Sequence, residues 1–314
     1  MNRLRKTTAP PHGKAPMRGP HLLPILSVVA GIATFSVMDA AVKAAAIAVG
    51  VFTAVWLRNA IGIAIALPLW RWTGGRLPTP AVLRIHALRA AVVACMAVLF
   101  FWGLVRIPMA QGIAISFISP LIALYLAAIL LGERVRPEAI VASLFGLAGV
   151  CVIALGKFAS GAPQAPGSAA GFAAILASAL FYAWNLVLQR QQALVAGPVE
   201  VALFQNLFVA LAFTPAAPFL FQVPDVQALG WIALGAVLAT AALMLLTWGY
   251  ARAEAQVLLP IEYTGFVWAA IAGWLWFAES LDAATVAGAV LIVCGSWMGT
   301  RRAVAARESV PCAP

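Results

Sequence analysis

The segment FWGLVRI, residues 101–107, returns in altered form as TWGYARA, residues 247–253. Its tryptophan, glycine and arginine recur at an offset of 146 residues, each time at the end of a long apolar run. Three further residue pairs match at the same offset: Phe35 with Phe181, Glu133 with Glu279, and Gly149 with Gly295. This weak internal symmetry indicates a chain built from two related units.

The composition places both units in a membrane. Of the 314 residues, 64% are hydrophobic and only 10% are charged, whereas soluble domains carry about 25% charged residues. The net charge of +10 is spread over short loops and tails and forms no basic face, which argues against a nucleic-acid partner. The sequence therefore predicts an all-α integral membrane protein.

Crossing a hydrocarbon core of about 30 Å takes roughly 20 apolar residues. Ten apolar runs of that size are bounded by charge, proline or glycine: 22–47, 51–71, 82–104, 109–131, 138–156, 168–190, 198–220, 228–250, 255–277 and 283–300. Five runs fall in each unit, so the second unit enters the membrane from the opposite side. The sequence predicts ten transmembrane helices as two inverted five-helix repeats, an architecture in which near-equivalent halves can alternate access to a central site.

The basic residues set the expected orientation, because cytoplasmic loops carry the excess of Lys and Arg. Sixteen of them, Arg84 and Arg89 included, are assigned to one side and three to the other, with Arg58 alone placed inside a span. Both termini are therefore predicted to be cytoplasmic, in the inner (plasma) membrane. The predicted parts are a disordered basic tail at 1–21, the first repeat at 22–156, an outer linker at 157–167, the second repeat at 168–300 and a cytoplasmic tail at 301–314.

Further motifs resemble a known family. LGE at 131–133 and FAE at 277–279 each precede a glycine-bearing helix, SLFGLAGVCVIALG and TVAGAVLIVCGSWMG. With the ten-span pattern, they resemble the EamA-type transporters of the drug/metabolite transporter superfamily over residues 22–300. The stretch LLPIEYTGFVWAAIAGWLWFAE, 258–279, also resembles the branch with S-adenosylmethionine and riboflavin carriers. The resemblance implies a secondary transporter for a small metabolite that is amino-acid-, purine- or S-adenosylmethionine-like, and cationic or planar.

Charged residues stand out inside the first two spans. Asp39 and Lys43 lie four residues apart in the favourable order for a pair on one helix face. Arg58, in the next span, falls near the same depth, and an unpaired charge at mid-bilayer costs on the order of 3 kcal/mol, so the three are expected to pair. Three interpretations stay open: a structural cluster, an outer ionic gate, and a direct substrate contact.

Amides occupy the related positions of the second repeat. The offset of 146 places Asn185 under Asp39 and Gln189 under Lys43, and an offset of 147 places Gln205 under Arg58. Since the repeats are inverted, these amides are predicted to form a weaker gate near the cytoplasmic side. Charge-assisted hydrogen bonds are stronger than neutral ones, which favours a resting state closed outside and open inside.

Glu262 is a carboxylate inside span 9, two residues after Pro260. The proline removes a backbone donor, so the helix is predicted to kink or break there. Glu262 is a candidate to meet a cationic substrate or to carry a coupling proton, and alternatively to pair with Arg252 or to extend to the cytoplasmic surface. Aromatic side chains adjacent to the polar positions, Tyr263 and Trp184, are candidates for a cavity wall that stacks on the substrate.

Glu133 and Glu279 end spans 4 and 9, where each is expected to accept hydrogen bonds from the start of the next helix, a structural role. No P-loop pattern and no acidic pair with magnesium-ligand spacing occur, so no cofactor, metal or catalytic residue is predicted. A membrane sensor or scaffold and an intramembrane enzyme are the rival functions. The expected partners are a small-molecule substrate and the lipid bilayer, in a monomer or homodimer, with proton coupling left open.

Overall fold

The computed structural model describes residues 22–116, 118–131, 137–159 and 167–279, together with 283–284, 286–288, 290–291 and 294. Within these ranges the chain is helical and contains no strand. The predicted tails, most of the predicted linker and Glu133 lie outside the described residues. The helices are α1 Leu22–Trp72, α2 Pro80–Leu104, α3 Met109–Ser116, α4 Ile118–Leu131, α5 Pro137–Ala159, α6 Ser168–Val195, α7 Pro198–Phe213, α8 Ala217–Leu220, α9 Val226–Tyr250, α10 Ala255–Leu258 and α11 Gly265–Phe277.

Five of the described segments are long and apolar enough to cross a membrane: α1, α2, α6, α9 and the segment Pro198–Leu220 that contains α7. Helices suit this environment because each satisfies its own backbone hydrogen bonds without water. Large apolar side chains face outward on them, for example Leu180 at 61% exposure and Val237 at 53%. The prediction of an all-helical membrane protein is confirmed at this level.

Helix α1 is a hairpin of two arms. A straight helix of its 51 residues would be about 77 Å long, more than twice the hydrocarbon thickness. Gly50 interrupts it with φ +77° and ψ 155°, a conformation that only glycine adopts readily. The arms fold back on each other, since Arg58 Nη1 lies 3.3 Å from Met38 Sδ across the bend. Spans 1 and 2 of the prediction are these two arms.

The repeated tryptophan–glycine motif ends α2 and α9 in the same way. Arg106 lies over the Trp102 ring at 3.5 Å, and Arg252 lies over the Trp248 ring at 4.0 Å. Each guanidinium also donates to the carbonyl oxygen of its tryptophan, at 2.6 and 3.0 Å respectively. The two segments that revealed the repeat in the sequence therefore share one local structure.

The glycines of this motif allow close helix contacts. A Cβ on Gly103 of α2 would lie 2.5 Å from Ile175 Cγ1 of α6. A Cβ on Gly249 of α9 would lie 2.5 Å from Val28 Cγ2 on the first arm of α1. Each glycine thus lets its helix approach a helix of the other predicted repeat, as small residues do in membrane helix pairs.

The segment before α11 is not a continuous helix. After α10 the chain changes to 3-10 geometry over Leu259–Thr264, and α-helical geometry resumes at Gly265. Pro260 lies in this segment, where its missing N–H and fixed φ disfavour regular α-helix. The interruption predicted from Pro260 is present, and it presents Glu262 at the centre of the molecule.

Candidate functional site

A central cavity lies where helices of the two predicted repeats meet. Its volume is about 180 Å³, and its walls come from both arms of α1, from α2, α3, α6, α7 and α9, and from the chain around the start of α11. Most of the lining is apolar. Four charged side chains interrupt it: Asp39, Arg58, Arg89 and Glu262.

Arg89 is held by three amides of α6, a group we call the Arg89 cluster (Arg89, Asn185, Gln189, Gln192). The guanidinium is 2% exposed and donates from Nε to Asn185 Oδ1 at 2.9 Å, from Nη2 to Gln189 Oε1 at 2.8 Å and from Nη1 to Gln192 Oε1 at 2.5 Å. The amides are spaced four and three residues apart, which places them on one helix face. These partners fix the orientation of the guanidinium, but they are neutral and leave its charge uncompensated.

A hydrogen-bonded chain continues from the Arg89 cluster towards α7. Gln192 Nε2 contacts His86 Nδ1, and His86 Nε2 lies 3.2 Å from Glu200 Oε1. Because the Gln192 oxygen accepts from Arg89, its amide group faces His86 as a donor. His86 Nδ1 then accepts and Nε2 donates to Glu200, which is the tautomer that this network requires. The Glu200 side chain is 23% exposed, so the chain leads from the cavity to the surface of the helix bundle.

Arg58 is held more loosely, in what we call the Arg58 cluster (Met38, Asp39, Arg58). Its Nη1 donates to Met38 Sδ at 3.3 Å, a weak acceptor, and its buried Nε has no hydrogen-bond partner among the described residues. Asp39 and Arg58 interact electrostatically. Within the described ranges, however, the ion pairs closer than 4.0 Å join other residues.

Lys43 does not join Asp39 and Arg58 as expected. Its Nζ lies 3.6 Å from Glu279 Oε1, 3.4 Å from the carbonyl oxygen of Ile107 and 4.6 Å above the Phe277 ring. The reason is its position one turn nearer to the bend at Gly50, where the end of α11 lies within reach of a long side chain. The expected three-residue cluster is therefore divided between two places.

Glu279 makes a contact that the sequence did not suggest. Its Oε1 accepts a hydrogen bond from the backbone N–H of Met109 at 2.8 Å. Met109 begins α3, so the carboxylate lies at a helix N-terminus, which is a favourable place for negative charge. The predicted contact with the start of span 10 falls where the structure describes only part of the chain, and it stays a prediction.

Glu262 is 3% exposed and is held by two tyrosines. Tyr182 OH of α6 donates to Oε2, and Tyr250 OH of α9 donates to Oε1, both at 2.8 Å. The expected alternative, a pair with Arg252, does not form, because Arg252 stacks on Trp248. The carboxylate thus has hydrogen-bond donors on both oxygens and no cation within 4.0 Å among the described residues.

Two predicted aromatic contacts are not in the cavity. Tyr263 is fully buried, but its ring lies against α5, where a Cβ on Gly146 would come within 2.5 Å of it. Trp184 is 40% exposed on the outer side of α6. Consecutive residues of a helix point about 100° apart. Because Asn185 faces the cavity, the neighbouring Trp184 side chain points away from it. Tyr182 is the aromatic side chain that reaches the wall beside Glu262.

Amide side chains of α6 and α7 at the cavity have buried polar atoms without hydrogen-bond partners among the described residues. Gln205 Nε2 and Oε1, Gln189 Nε2 and Asn206 Nδ2 are buried and have no hydrogen-bond partner among the described residues. Gln189, Gln205 and Asn206 all line the cavity. Unpaired buried polar atoms are costly, so this wall suits a polar ligand or water. No group of three or more metal-ligating side chains occurs in the described part of the chain.

The sequence interpretation missed Arg89, which it had counted among cytoplasmic loop residues. Arg84 and His86 precede it closely, so that end of span 3 read as a polar boundary. One signal was available: Asn185, Gln189 and Gln192 share one face of span 6 and need a buried donor. Tyr250 was also missed, although it lies inside the repeated tryptophan–glycine motif.

Comparison with known proteins agrees with the motif-based resemblance. The family model described as "EamA-like transporter family" matches residues 22–155 and 169–300. The chain belongs to this family. Both matched segments contribute residues to the walls of the cavity.

Individual relatives are named as transporters. The pseudopaline exporter CntI of Pseudomonas aeruginosa is 31% identical over 274 residues, which cover 86% of this chain and 92% of the exporter. A riboflavin transporter of Rhizobium johnstonii is 27% identical over 218 residues, 67% of this chain and 68% of that protein. A crystal structure with 25% sequence identity superposes with a TM-score of 0.71 and covers 91% of this chain and 98% of its own. Membrane transport is thus the activity of the family to which this chain belongs.

Proposed function

We propose that this protein is a secondary transporter that carries a small metabolite through the central cavity by alternating access. The observation that carries the proposal is the cavity itself, which is walled by helices of both family segments and holds charged side chains from each. Charged side chains buried in a membrane protein are expensive to keep, and they commonly mark a pathway for a substrate or an ion. A catalytic role has no comparable support, so we propose that the protein is not an enzyme.

The proposed architecture is ten spans in two inverted repeats, in the inner membrane, with both termini cytoplasmic. The shared structure at Trp102–Arg106 and Trp248–Arg252 supports the repeat. The distribution of Lys and Arg along the sequence supports the orientation. In this orientation the bend at Gly50 faces outward.

Two places are suited to act as gates. At the Gly50 end, the Lys43–Glu279 pair ties the first arm of α1 to the chain after α11 and to the start of α3. At the opposite end, the Arg89 cluster ties α2 to α6. Alternating access requires that these ties open in turn, and we propose Lys43–Glu279 as the outer gate in place of the expected Asp39–Lys43–Arg58 cluster.

Transport is tested by untargeted flux. Purified protein is reconstituted into vesicles loaded with amino acids, their amine and acid analogues, purines, S-adenosylmethionine and riboflavin, and the compounds that leave are measured by mass spectrometry. At least one compound is expected to leave faster than from protein-free vesicles. If every compound leaves at the protein-free rate, with correctly inserted protein, transport of these metabolite classes is contradicted.

The gate is tested by accessibility of a single cysteine at Ser36, which lines the cavity, to a membrane-impermeant thiol reagent applied from outside, after replacement of the native cysteines by alanine and with Lys43 and Glu279 in place. A cysteine at exposed Leu180, on the lipid side of α6, is the control. Labelling of position 36 is expected to rise when Glu279→Gln is added, while labelling of position 180 stays unchanged. Equal labelling with and without Glu279→Gln would contradict the gate.

A further inference from the structure

Only two of the four charged side chains of the cavity have a counter-charge in the cavity wall. Asp39 and Arg58 interact with each other. Arg89 and Glu262 have no such counterpart, since neither takes part in an ion pair within 4.0 Å among the described residues. One uncompensated cation and one uncompensated anion therefore remain in the cavity wall.

Arg89 retains capacity for an anionic ligand. A guanidinium has five N–H donors, and the three α6 amides occupy three of them. One N–H remains on each of Nη1 and Nη2, and a guanidinium with free N–H donors is well suited to bind a carboxylate. Because the amides fix the guanidinium before a ligand arrives, little conformational entropy is lost when an anion binds.

Glu262 retains capacity for a cationic ligand. An ionised carboxylate can accept about four hydrogen bonds, and Tyr182 and Tyr250 supply two. The two hydroxyl groups orient the carboxylate without neutralising it. The Tyr182 ring lines the cavity beside it and offers an aromatic face to an ammonium group.

Arg89 and Glu262 line one cavity of about 180 Å³, a volume in which a small molecule can contact both side chains. The adjoining wall is apolar and includes Val93, Phe100 and Leu246.

We infer that the substrate is a zwitterion with an apolar side chain, whose carboxylate binds Arg89 and whose ammonium group binds Glu262. This inference rests on the proposed transport function and names the substrate class of that cavity. A ligand with only one of the two charges leaves the other wall charge uncompensated and buried, which is the costly arrangement. Sites that depend on a polar partner reject analogues that lack it, and we expect discrimination of about 100-fold or more.

The test compares matched compounds that differ only in charge. Leucine is compared with isoamylamine and isocaproate, and phenylalanine with phenethylamine and hydrocinnamate, by thermal-shift titration of the detergent-purified full chain. At least one amino acid is expected to stabilise the protein at a concentration about 100-fold lower than its amine or its acid. The inference would be overturned if the amine or the acid stabilised the protein as well as the amino acid does. If the acid did so and the amine did not, the result would fit a Glu262 carboxyl that carries a proton.

Two substitutions assign the ends of the substrate. Glu262→Gln keeps acceptors and donors for the tyrosines, and it is expected to shift the preference towards the acid. Arg89→Gln is expected to shift the preference towards the amine. Arg84→Gln, on the exposed face of the same helix, and Asp225→Asn, which can still cap α9, are charge-matched controls expected to keep the preference for the amino acid. If Glu262→Gln keeps that preference, the assignment of the ammonium group is wrong, even if Arg89→Gln fails to fold.

Flux in vesicles separates this inference from the proposed function. If purines or riboflavin move while no amino acid moves or binds, the transporter proposal stands and the zwitterion inference fails. If no compound moves and none binds, both fail.

Discussion

The Arg58 cluster and the Arg89 cluster each bury an arginine in the wall of one cavity, but they hold it differently. Three nitrogens of Arg89 donate to amide oxygens at 2.5 to 2.9 Å. Arg58 has a thioether at 3.3 Å, and its Nε has no partner in the described part of the chain. Arg89 is thus fixed by hydrogen bonds, whereas Arg58 depends on the charge of Asp39.

The two arginines are not related by the repeat. The offset of 146 relates Arg89 to Gly235, and Gly235 lies against Arg58, since a Cβ there would be 3.9 Å from Arg58 Cδ. Both arginines come from the first matched segment, one from the second arm of α1 and one from α2. The sequence offset therefore relates the helix ends of the two segments but does not relate the positions of the buried arginines.

The largest expected effect comes from removing each guanidinium in turn. Arg89→Met leaves three buried amide oxygens without their donors and should lower the free energy of unfolding by about 3 kcal/mol. Arg58→Met, made in an Asp39→Asn background so that no buried charge is left unpaired, removes weaker contacts and should cost about 1 kcal/mol or less. Denaturant titration in mixed micelles measures both. A cost for Arg58→Met equal to that for Arg89→Met would show that the two clusters hold their arginines equally well.

Substitution of single amides tests the same difference between hydrogen-bonded and unpaired side chains. Gln192→Met removes the bond to Arg89 and the contact to His86, and should cost about 2 kcal/mol. Gln205→Met replaces an amide whose Nε2 and Oε1 have no partner among the described residues, and should be neutral or stabilising. The same unfolding assay compares them. Substantial destabilisation by Gln205→Met would indicate that ordered water or a ligand holds this amide.

The sequence predicted an all-helical membrane protein because that depends on patterns within the chain. The tryptophan–glycine motif and Pro260 act locally, and the structure shows the shared helix end and the interrupted helix expected from them, whereas ten inverted spans stay a prediction. Side-chain partners between helices were harder to predict. Lys43 was assigned to Asp39 by spacing on one helix, but Glu279, distant in the sequence, lies closer to it. Glu262 was found because a carboxylate after a proline is unusual within an apolar run.

An intermediate effect is expected at the Lys43–Glu279 pair. A double-mutant cycle with Lys43→Met and Glu279→Gln should give a coupling energy of about 1 kcal/mol, because the pair is partly buried and shares contacts with Ile107 and Met109. The same cycle with Asp39→Asn and Arg58→Met should give a smaller coupling. A larger coupling for Asp39 and Arg58 would restore the pairing that the sequence had suggested.

The smallest effect is expected where the two halves agree. Arg106→Ala and Arg252→Ala each remove a guanidinium that stacks on a tryptophan and donates to its carbonyl oxygen. Exposed contacts of this kind contribute about 0.5–1 kcal/mol each, so the two substitutions should cost nearly the same in the unfolding assay. Arg84→Ala, on the exposed face of α2, is the control for loss of charge alone.

Equal costs at Arg106 and Arg252 would show that the two helix ends are equivalent in energy as well as in sequence. Unequal costs at Arg58 and Arg89, which both belong to the first matched segment, would show that the cavity charges depend on their own partners and do not follow from the sequence offset. Unequal costs at the helix ends would instead mean that identical residues experience different surroundings at the two ends of the bundle. In that case the sequence offset alone could not be used to relate the gates of the two halves.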